Sequence, residues 1–273
     1  MIRFAAIASS LVLCATPSIA NEIFNYQPQP VLAAQPLQIP SRTIDILGIQ
    51  IGMTVGVAKS SIEKALPGLK INTSASRLSY SSRGVTVQTP DFVSDVTVNP
   101  IMNVVKPVKV NEALALTFSG PASGNQLIAA ARRTTYSDVV QAPAVEVLKK
   151  ALIDKYGPPS FTNESGGDTS LSWTFIGGEQ RTCAPKAECS FPTGEYSPSQ
   201  LATIAGDQSQ VELAVFAKIT NSASDLSKVS QSSIFLGSAT RRKATAKADL
   251  DSLKEAAQAA LAKASQNVSA PKL

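Results

Sequence analysis

Apolar residues recur at helical spacing in three segments of this chain, and shorter segments between them alternate apolar with polar positions. The first helix is predicted to begin after Thr54, because a threonine hydroxyl can accept a hydrogen bond from the first turn. Ala58 and Ile62 would lie on its apolar face, and Pro67 would end it.

The second helix is the clearest element in the pattern. It is predicted over residues 143–156, where Leu148 and Leu152 share one face, and Gly157 is suited to its C-terminal end. A third, alanine-rich helix is predicted over residues 246–265. Its apolar stripe is narrow, so we expect it to be marginal or peripheral.

Strand-like segments fill the regions between the helices. They are predicted around residues 69–71, 77–80, 85–87, 114–118, 126–136, 171–176, 211–220 and 233–236, with a short helix at 222–229. The pattern predicts an α+β fold of two helix-plus-antiparallel-sheet units, 44–140 and 141–238. Their similar element order suggests tandem repeats in which each helix packs on its own sheet, followed by a C-terminal amphipathic helix in the basic, alanine-rich tail, 239–273.

The first twenty residues are typical of a secretory signal peptide. Arg3 precedes an apolar stretch, and small residues at Ser18 and Ala20 predict cleavage after Ala20 and a periplasmic location. The stretch is too short for a membrane anchor. Cys14 raises the alternative of a lipoprotein, but Leu13 occupies the position where a lipidation signal needs a small residue. No later segment is long and apolar enough to span a bilayer.

Residues 21–43 are rich in proline and glutamine, and this composition predicts an extended linker. A docking peptide for a partner is the alternative. Cleavage after Ala20 leaves two cysteines, Cys183 and Cys189, which in an oxidising compartment predict a disulfide bond. The alternatives are redox or metal chemistry. However, five intervening residues are too many for a CxxC pair, and zinc needs more than two ligands.

The chain contains no histidine, which excludes Ser-His-Asp triads, Cys-His pairs and histidine-ligated metal sites. We predict no catalytic residue, metal site or cofactor. The enzymatic alternative is a hydrolase of envelope polymers that uses carboxylates, for which Glu164, Asp168 and Asp207 are the candidates. Ser61 and Lys64 match a Ser-x-x-Lys nucleophile motif, but its companion motifs are absent and a solvated helix face explains the pair.

Positive charge is concentrated near the C-terminus of a chain whose net charge is +5. The cluster Arg241, Arg242 and Lys243 is either part of a solubilising tail or a contact for an anionic envelope surface. No nucleic-acid partner is predicted, because aromatic residues are not interleaved with the basic ones. Arg132 and Arg133 lie on a predicted strand, where alternation would point them in opposite directions. They indicate either a charged strand edge or a ligand-facing arginine.

Two motifs together resemble a known exported module. Gly52-Met53-Thr54 before a short helix, and the segment from Lys155 to Ser160 with Trp173 downstream, are similar to the small lipoprotein of the outer-membrane β-barrel assembly machinery (the BamE, or SmpA/OmlA, family). The β-lactamase inhibitory protein carries two copies of a similar unit. This resemblance implies helix-plus-sheet units that bind proteins and catalyse nothing. We therefore expect a non-catalytic, soluble periplasmic module that binds an envelope protein or an anionic envelope surface.

Overall fold

The computed structural model describes residues 22–39, 42–99, 110–182 and 196–266. Within these ranges the chain forms α-helices and mostly antiparallel β-strands, so the predicted α+β class is confirmed. In chain order the elements are β1 (Glu22–Asn25), α1 (Val55–Ala65), β2 (Ile71–Ser76), β3 (Ser79–Ser82), β4 (Val85–Gln88), β5 (Phe92–Val98), β6 (Val110–Phe118), β7 (Leu127–Tyr136), α2 (Val145–Tyr156), β8 (Phe161–Ser165), β9 (Asp168–Ile176), β10 (Glu179–Gln180), α3 (Leu201–Ala205), β11 (Leu213–Asn221), β12 (Val229–Gly237) and α4 (Ala239–Gln266).

A nine-stranded antiparallel sheet forms the centre of the fold. Its order is β10-β9-β11-β12-β7-β6-β5-β2, and β8 pairs with β9 at the same edge as β10. Strands from before α2 occupy one half of the sheet, and strands from after α2 occupy the other. The two halves meet where β7 pairs with β12, in a register that includes Arg132 opposite Ile234.

Both α1 and α2 pack on one face of this sheet and share one hydrophobic core. The prediction of a separate sheet for each helix is therefore wrong. The physical reason is that β7 and β12 each bury their helix-facing residues, such as Ala130 and Leu236, and neither can leave its backbone groups unpaired. Pairing them joins the two halves into one sheet.

Helix α1 begins as its sequence predicts. Thr54 is the N-cap, and its hydroxyl accepts a hydrogen bond from the amide of Val57 at 3.4 Å. Ala58 and Ile62 are fully buried against the sheet. The predicted capping residue and apolar face of this helix are thus confirmed.

Helix α2 fits into the core through its C-terminal half. Leu152 and Tyr156 are buried, whereas Leu148 is only partly buried. The ring of Tyr156 lies 5.2 Å from that of Trp173, whose indole N–H donates to the carbonyl of Gly157 at 2.7 Å. These contacts attach the end of the helix to strand β9.

The proline-rich segment that follows β1 packs along the fold over the residues that the structure describes. Two glycines with positive φ allow the backbone of this segment to approach closely. A Cβ on Gly52 would lie 1.9 Å from the carbonyl oxygen of Gln35, and one on Gly124 would lie 2.6 Å from that of Leu32. Strand β1, which precedes the segment, pairs in parallel with β4.

Helix α4 is longer and more buried than the sequence predicts. It begins at Ala239, where Ser238 accepts a hydrogen bond from the amide of Arg241, and not at residue 246. It packs on α3 and on the small sheet β1-β4-β3, forming a second core with Ala246, Leu253 and Ala257 buried. The short helix predicted at residues 222–229 is wrong, because turns occupy this segment until β12 begins.

Candidate functional site

The nine-stranded sheet has one face covered by helices and one face that the other described residues leave largely open. Residues directly opposite each other on the covered face form a buried cross-strand row, made of Trp173, Val215, Leu236, Ala130, Leu116 and Val96. Because side chains alternate along a strand, the intervening positions point to the other face. There, α4 and the second core cover only the end of the sheet near Ile128.

A row of aromatic and small residues crosses the open face. In strand order it contains Phe161, Ser172, Phe216, Phe235, Ala131, Ala115, Thr97 and Asn72. Phe161 and Phe216 are each 44% exposed. Alanines on the neighbouring strands form a shallow floor, and a groove of about 280 Å³ lies between them and Phe216.

The two consecutive arginines of β7 point to opposite faces, as alternation predicts. Arg132 lies on the helix side, where its Nε donates to Oε1 of Glu112 at 2.6 Å. Arg133 is exposed on the open face and lines the groove. Strand β7 lies between β6 and β12, so the interpretation of the pair as a charged strand edge is wrong.

A second basic side chain shares the cross-strand row of Arg133. That row contains Asn163, Ser170, Lys218, Ser233, Arg133 and Ala113. The ammonium of Lys218 is paired with Asp168 at 2.7 Å. Arg133 forms no ion pair with any residue in the described part of the chain. Among the described residues of the open face, Arg133 is therefore a positive charge without an acidic partner, and it lies in the same groove as the exposed ring of Phe216.

A buried carboxylate, Asp249, links α4 to the turn between β6 and β7. It accepts hydrogen bonds from the amides of Gly120 (2.9 Å) and Ser123 (3.0 Å), the hydroxyl of Ser123 (2.8 Å) and the hydroxyl of Tyr196 (2.6 Å). Burial raises the pKa of Asp249, and burial also raises the pKa of Tyr196. Asp249 is 1% exposed, so no ligand can reach it and its role is structural.

The basic cluster predicted in the tail lies in the first turn and a half of α4. Arg241 donates to the side-chain oxygen of Gln126 at 2.9 Å, and Arg242 is 5% exposed. Burial lowers the pKa of both guanidinium groups. Lys243 lines a groove of about 600 Å³ together with Lys247. The three residues therefore do not form one exposed patch, and contact with an anionic surface stays a prediction.

Two of the three candidate carboxylates line one cleft of about 490 Å³ at the β8–β9 turn, together with Glu146. Glu164 pairs with Lys149 at 2.5 Å, and Asp168 pairs with Lys218. In the β8–β9 hairpin, Glu164 is opposite Thr169 and Asp168 is opposite Ser165. The side chains of Glu164 and Asp168 therefore point to opposite faces of the hairpin.

The chemistry of these carboxylates does not favour the hydrolase alternative. The hydrogen bond from Lys218 lowers the pKa of Asp168, whereas a general acid needs a raised pKa. Asp207 lies apart from the cleft, in the loop after α3, where it caps the amide of Ser209. The Ser61 hydroxyl donates to the carbonyl of Val57, as a residue on a solvated helix face does.

Several predicted features lie outside the described residues. These are the signal peptide, with Cys14, and the predicted disulfide between Cys183 and Cys189. Both stay predictions. Among the described residues, no group of three or more acidic, cysteine or histidine side chains is arranged to hold a metal ion. Helices in that part of the chain are also not long and apolar enough to cross a membrane.

The exposed phenylalanines of the open face were not predicted as site residues. Phe216 lies between Val215 and Ala217, two buried positions of an alternating strand, and this pattern places it on the opposite face. The signal was present in the sequence, but whether that face is covered depends on tertiary packing.

The chain gives no match to any protein-family model, to any curated protein or to any solved structure.

Proposed function

We propose that this protein is an exported, non-catalytic module that binds a partner protein of the cell envelope through the open face of its sheet. The observation that carries the proposal is the pair of exposed rings, Phe161 and Phe216, in one cross-strand row on that face. Large apolar side chains on a solvent-exposed sheet face lose the free energy that burial would give them. A partner that covers them recovers it.

The composition of the face supports this interpretation. Aromatic residues and arginine are enriched at the centres of protein interfaces, where they contribute most of the binding energy. Phe216, Arg133 and the alanine floor line one groove across central strands, which are held in place by the core beneath. A rigid face loses little conformational entropy on binding.

The strand order supports a repeat within one sheet. In each half, a helix is followed by strands that pair in sequence order, β2-β5-β6-β7 and β8-β9-β11-β12, and the last strands of the two halves pair with each other. Strands β3 and β4 leave this order for the small sheet, and the two-residue β10 adds to the edge beside β9. We propose that the two halves are structural repeats and that the resemblance to the BamE-like module reflects this unit. The proposed binding face then extends over both repeats.

The exported location is proposed from the sequence alone. Arg3, the apolar stretch that follows it and the small residues Ser18 and Ala20 are typical of a cleavable signal peptide.

A photo-cross-linking side chain placed at Phe216 tests the proposed face. Phe216→benzoylphenylalanine should give discrete adducts in envelope preparations, because the ring is exposed and would face the partner. Val147, which is 63% exposed on α2 at the other side of the sheet, is the matched control position. Equal adducts at both positions, or none at 216, would refute the proposal.

Contact with an anionic envelope surface is a second proposal, and it now depends on Lys243. This side chain forms no ion pair with the other described residues and lines a groove with Lys247. Lys243→Ser should weaken sedimentation with anionic vesicles at low salt, where charges act over a longer range. Lys254→Ser, an exposed lysine farther along α4, is the control. Equal sedimentation of both variants with wild type would contradict this contact.

A further inference from the structure

We infer that the partner inserts an acidic side chain, flanked by apolar residues, into the groove on the open face, where its carboxylate pairs with Arg133. This inference rests on the proposed function and names the chemistry of the partner. It follows from the charge, the surroundings and the size of the groove.

No structural role among the described residues explains why an arginine occupies position 133. On an edge strand, a charged residue discourages pairing with another sheet, but β7 is internal. Within the sheet, the ion pair with Glu112 is made by Arg132 on the opposite face. Arg133 lies between Ala113 and Ser233 on the neighbouring strands, and neither can neutralise it.

The surroundings of Arg133 make a carboxylate the matching group. The nearest basic residue along its row, Lys218, is two strands away and about 10 Å distant by strand spacing. Lys218 is already paired with Asp168, whereas Arg133 has no acidic partner among the described residues. A guanidinium offers two parallel N–H groups to a carboxylate, and covering the groove with apolar side chains would exclude water from that pair.

The size of the groove favours a side chain of a larger partner over a free small molecule. Its volume of about 280 Å³ lies at the lower limit of the range, roughly 300–1,000 Å³, that is usual for small-molecule pockets, and it is a shallow groove on a sheet face and not an enclosed cavity. One or two side chains fill such a space. The exposed ring of Phe216 at the side of the groove would contact the apolar neighbours of the acidic residue.

A random peptide display library is the probe, selected against the purified full-length protein and its variants. Wild type should enrich peptides with Asp or Glu next to aliphatic or aromatic residues. Arg133→Glu should enrich Lys or Arg at that position instead, and it should bind the best wild-type peptide about tenfold more weakly. Arg83→Glu makes the same charge change at an exposed turn in the small sheet and should behave as wild type.

Two further variants separate the possible outcomes. Arg133→Gln removes the charge without adding a repulsive one, and it replaces Arg133→Glu if that protein does not fold. The enriched peptides are also tested against Phe216→Ser, and a loss of binding shows that they require Phe216. If such peptides carry no acidic position, the inference is overturned and the proposed function remains intact. A failure to enrich any peptide that requires Phe216 would count against both. Acidic peptides that bind Arg133→Glu as tightly as wild type would also overturn the inference.

Discussion

The hydroxyl of Tyr196 donates a hydrogen bond of 2.6 Å to Asp249, and both side chains are buried where α4 meets the turn between β6 and β7. The same carboxylate accepts from the amide and hydroxyl of Ser123 and from the amide of Gly120. One acidic residue thus holds together three segments that are far apart in the chain. Of its four donors, the hydroxyl of Ser123 can also reach the carbonyl of Gly120 at 3.0 Å.

Replacing Asp249 should destabilise the protein strongly. Asp249→Ala leaves the amides of Gly120 and Ser123 buried without this acceptor and removes a partner of the Tyr196 hydroxyl, and we expect the free energy of unfolding to fall by about 3–5 kcal/mol. Chemical denaturation at neutral pH measures the change. Asp251→Asn, two residues away on the same helix, removes only an exposed pair with Lys247 and should cost about 0.5 kcal/mol or less. Equal losses in the two variants would show that the network contributes little.

The pH dependence of stability should carry a signature of Asp249. Burial raises its folded-state pKa, so the folded state binds the proton more tightly than the unfolded state. The stability that this provides is complete below the unfolded pKa and is lost as the pH rises through the folded pKa. Between the unfolded-state and the folded-state pKa, the free energy of unfolding of wild type should fall by about 1.4 kcal/mol per pH unit relative to that of Asp249→Asn. Parallel profiles for the two proteins, measured from about pH 3 upward, would mean that the pKa is not raised.

Replacing glycine with alanine should have opposite effects on stability at Gly120 and at Gly56. A Cβ on Gly120 would lie 2.6 Å from Oδ2 of Asp249 and 2.5 Å from Leu78, so Gly120→Ala should cost about 1–3 kcal/mol. A Cβ on Gly56, in the exposed first turn of α1, meets no atom within 4 Å. Gly56→Ala should stabilise by about 0.5 kcal/mol through lower unfolded-state entropy. Thermal unfolding of both variants checks the signs, and a stabilised Gly120→Ala would be inconsistent with this packing.

Truncations along α2 should follow burial. Leu152→Ala should cost about 2–5 kcal/mol, because the side chain is 5% exposed in the shared core. Leu148→Ala should cost less, since that side chain is only partly buried. Val147→Ala, at an exposed position, should change the stability by about 0.5 kcal/mol at most. Denaturation midpoints that do not follow this order would argue against the orientation of the helix.

Local signals in the sequence predicted the local structure well. The capping hydroxyl of Thr54 and the apolar face of α1 depend on residues close in the chain, and both were predicted. The strand before Phe118 and the one after Gln126 were also predicted, because alternation and turn residues mark them. The α+β class follows from these elements.

Long-range relationships were not predictable in the same way. That β7 pairs with β12 depends on two segments far apart in the chain, and without this pairing Arg133 could equally lie at a sheet edge. The stability of α4 depends on small side chains such as Ala246 and Ala257, which are buried only because another surface complements them. A polar residue such as Asp249 gives no sign in the sequence that four donors surround it.

The pairing of β7 with β12 also has a kinetic consequence. Arg132 and Ile234 are opposite each other in the sheet but more than 100 positions apart in the chain, and contacts of such long range slow folding. Since synthesis delivers the N-terminal residues first, β7 is complete well before its partner strand exists. Until β12 arrives, the nascent first half exposes an unpaired central strand that other chains can join. Premature termination between these strands would therefore yield an aggregation-prone fragment, and the period before β12 is available is when a holding chaperone would matter most.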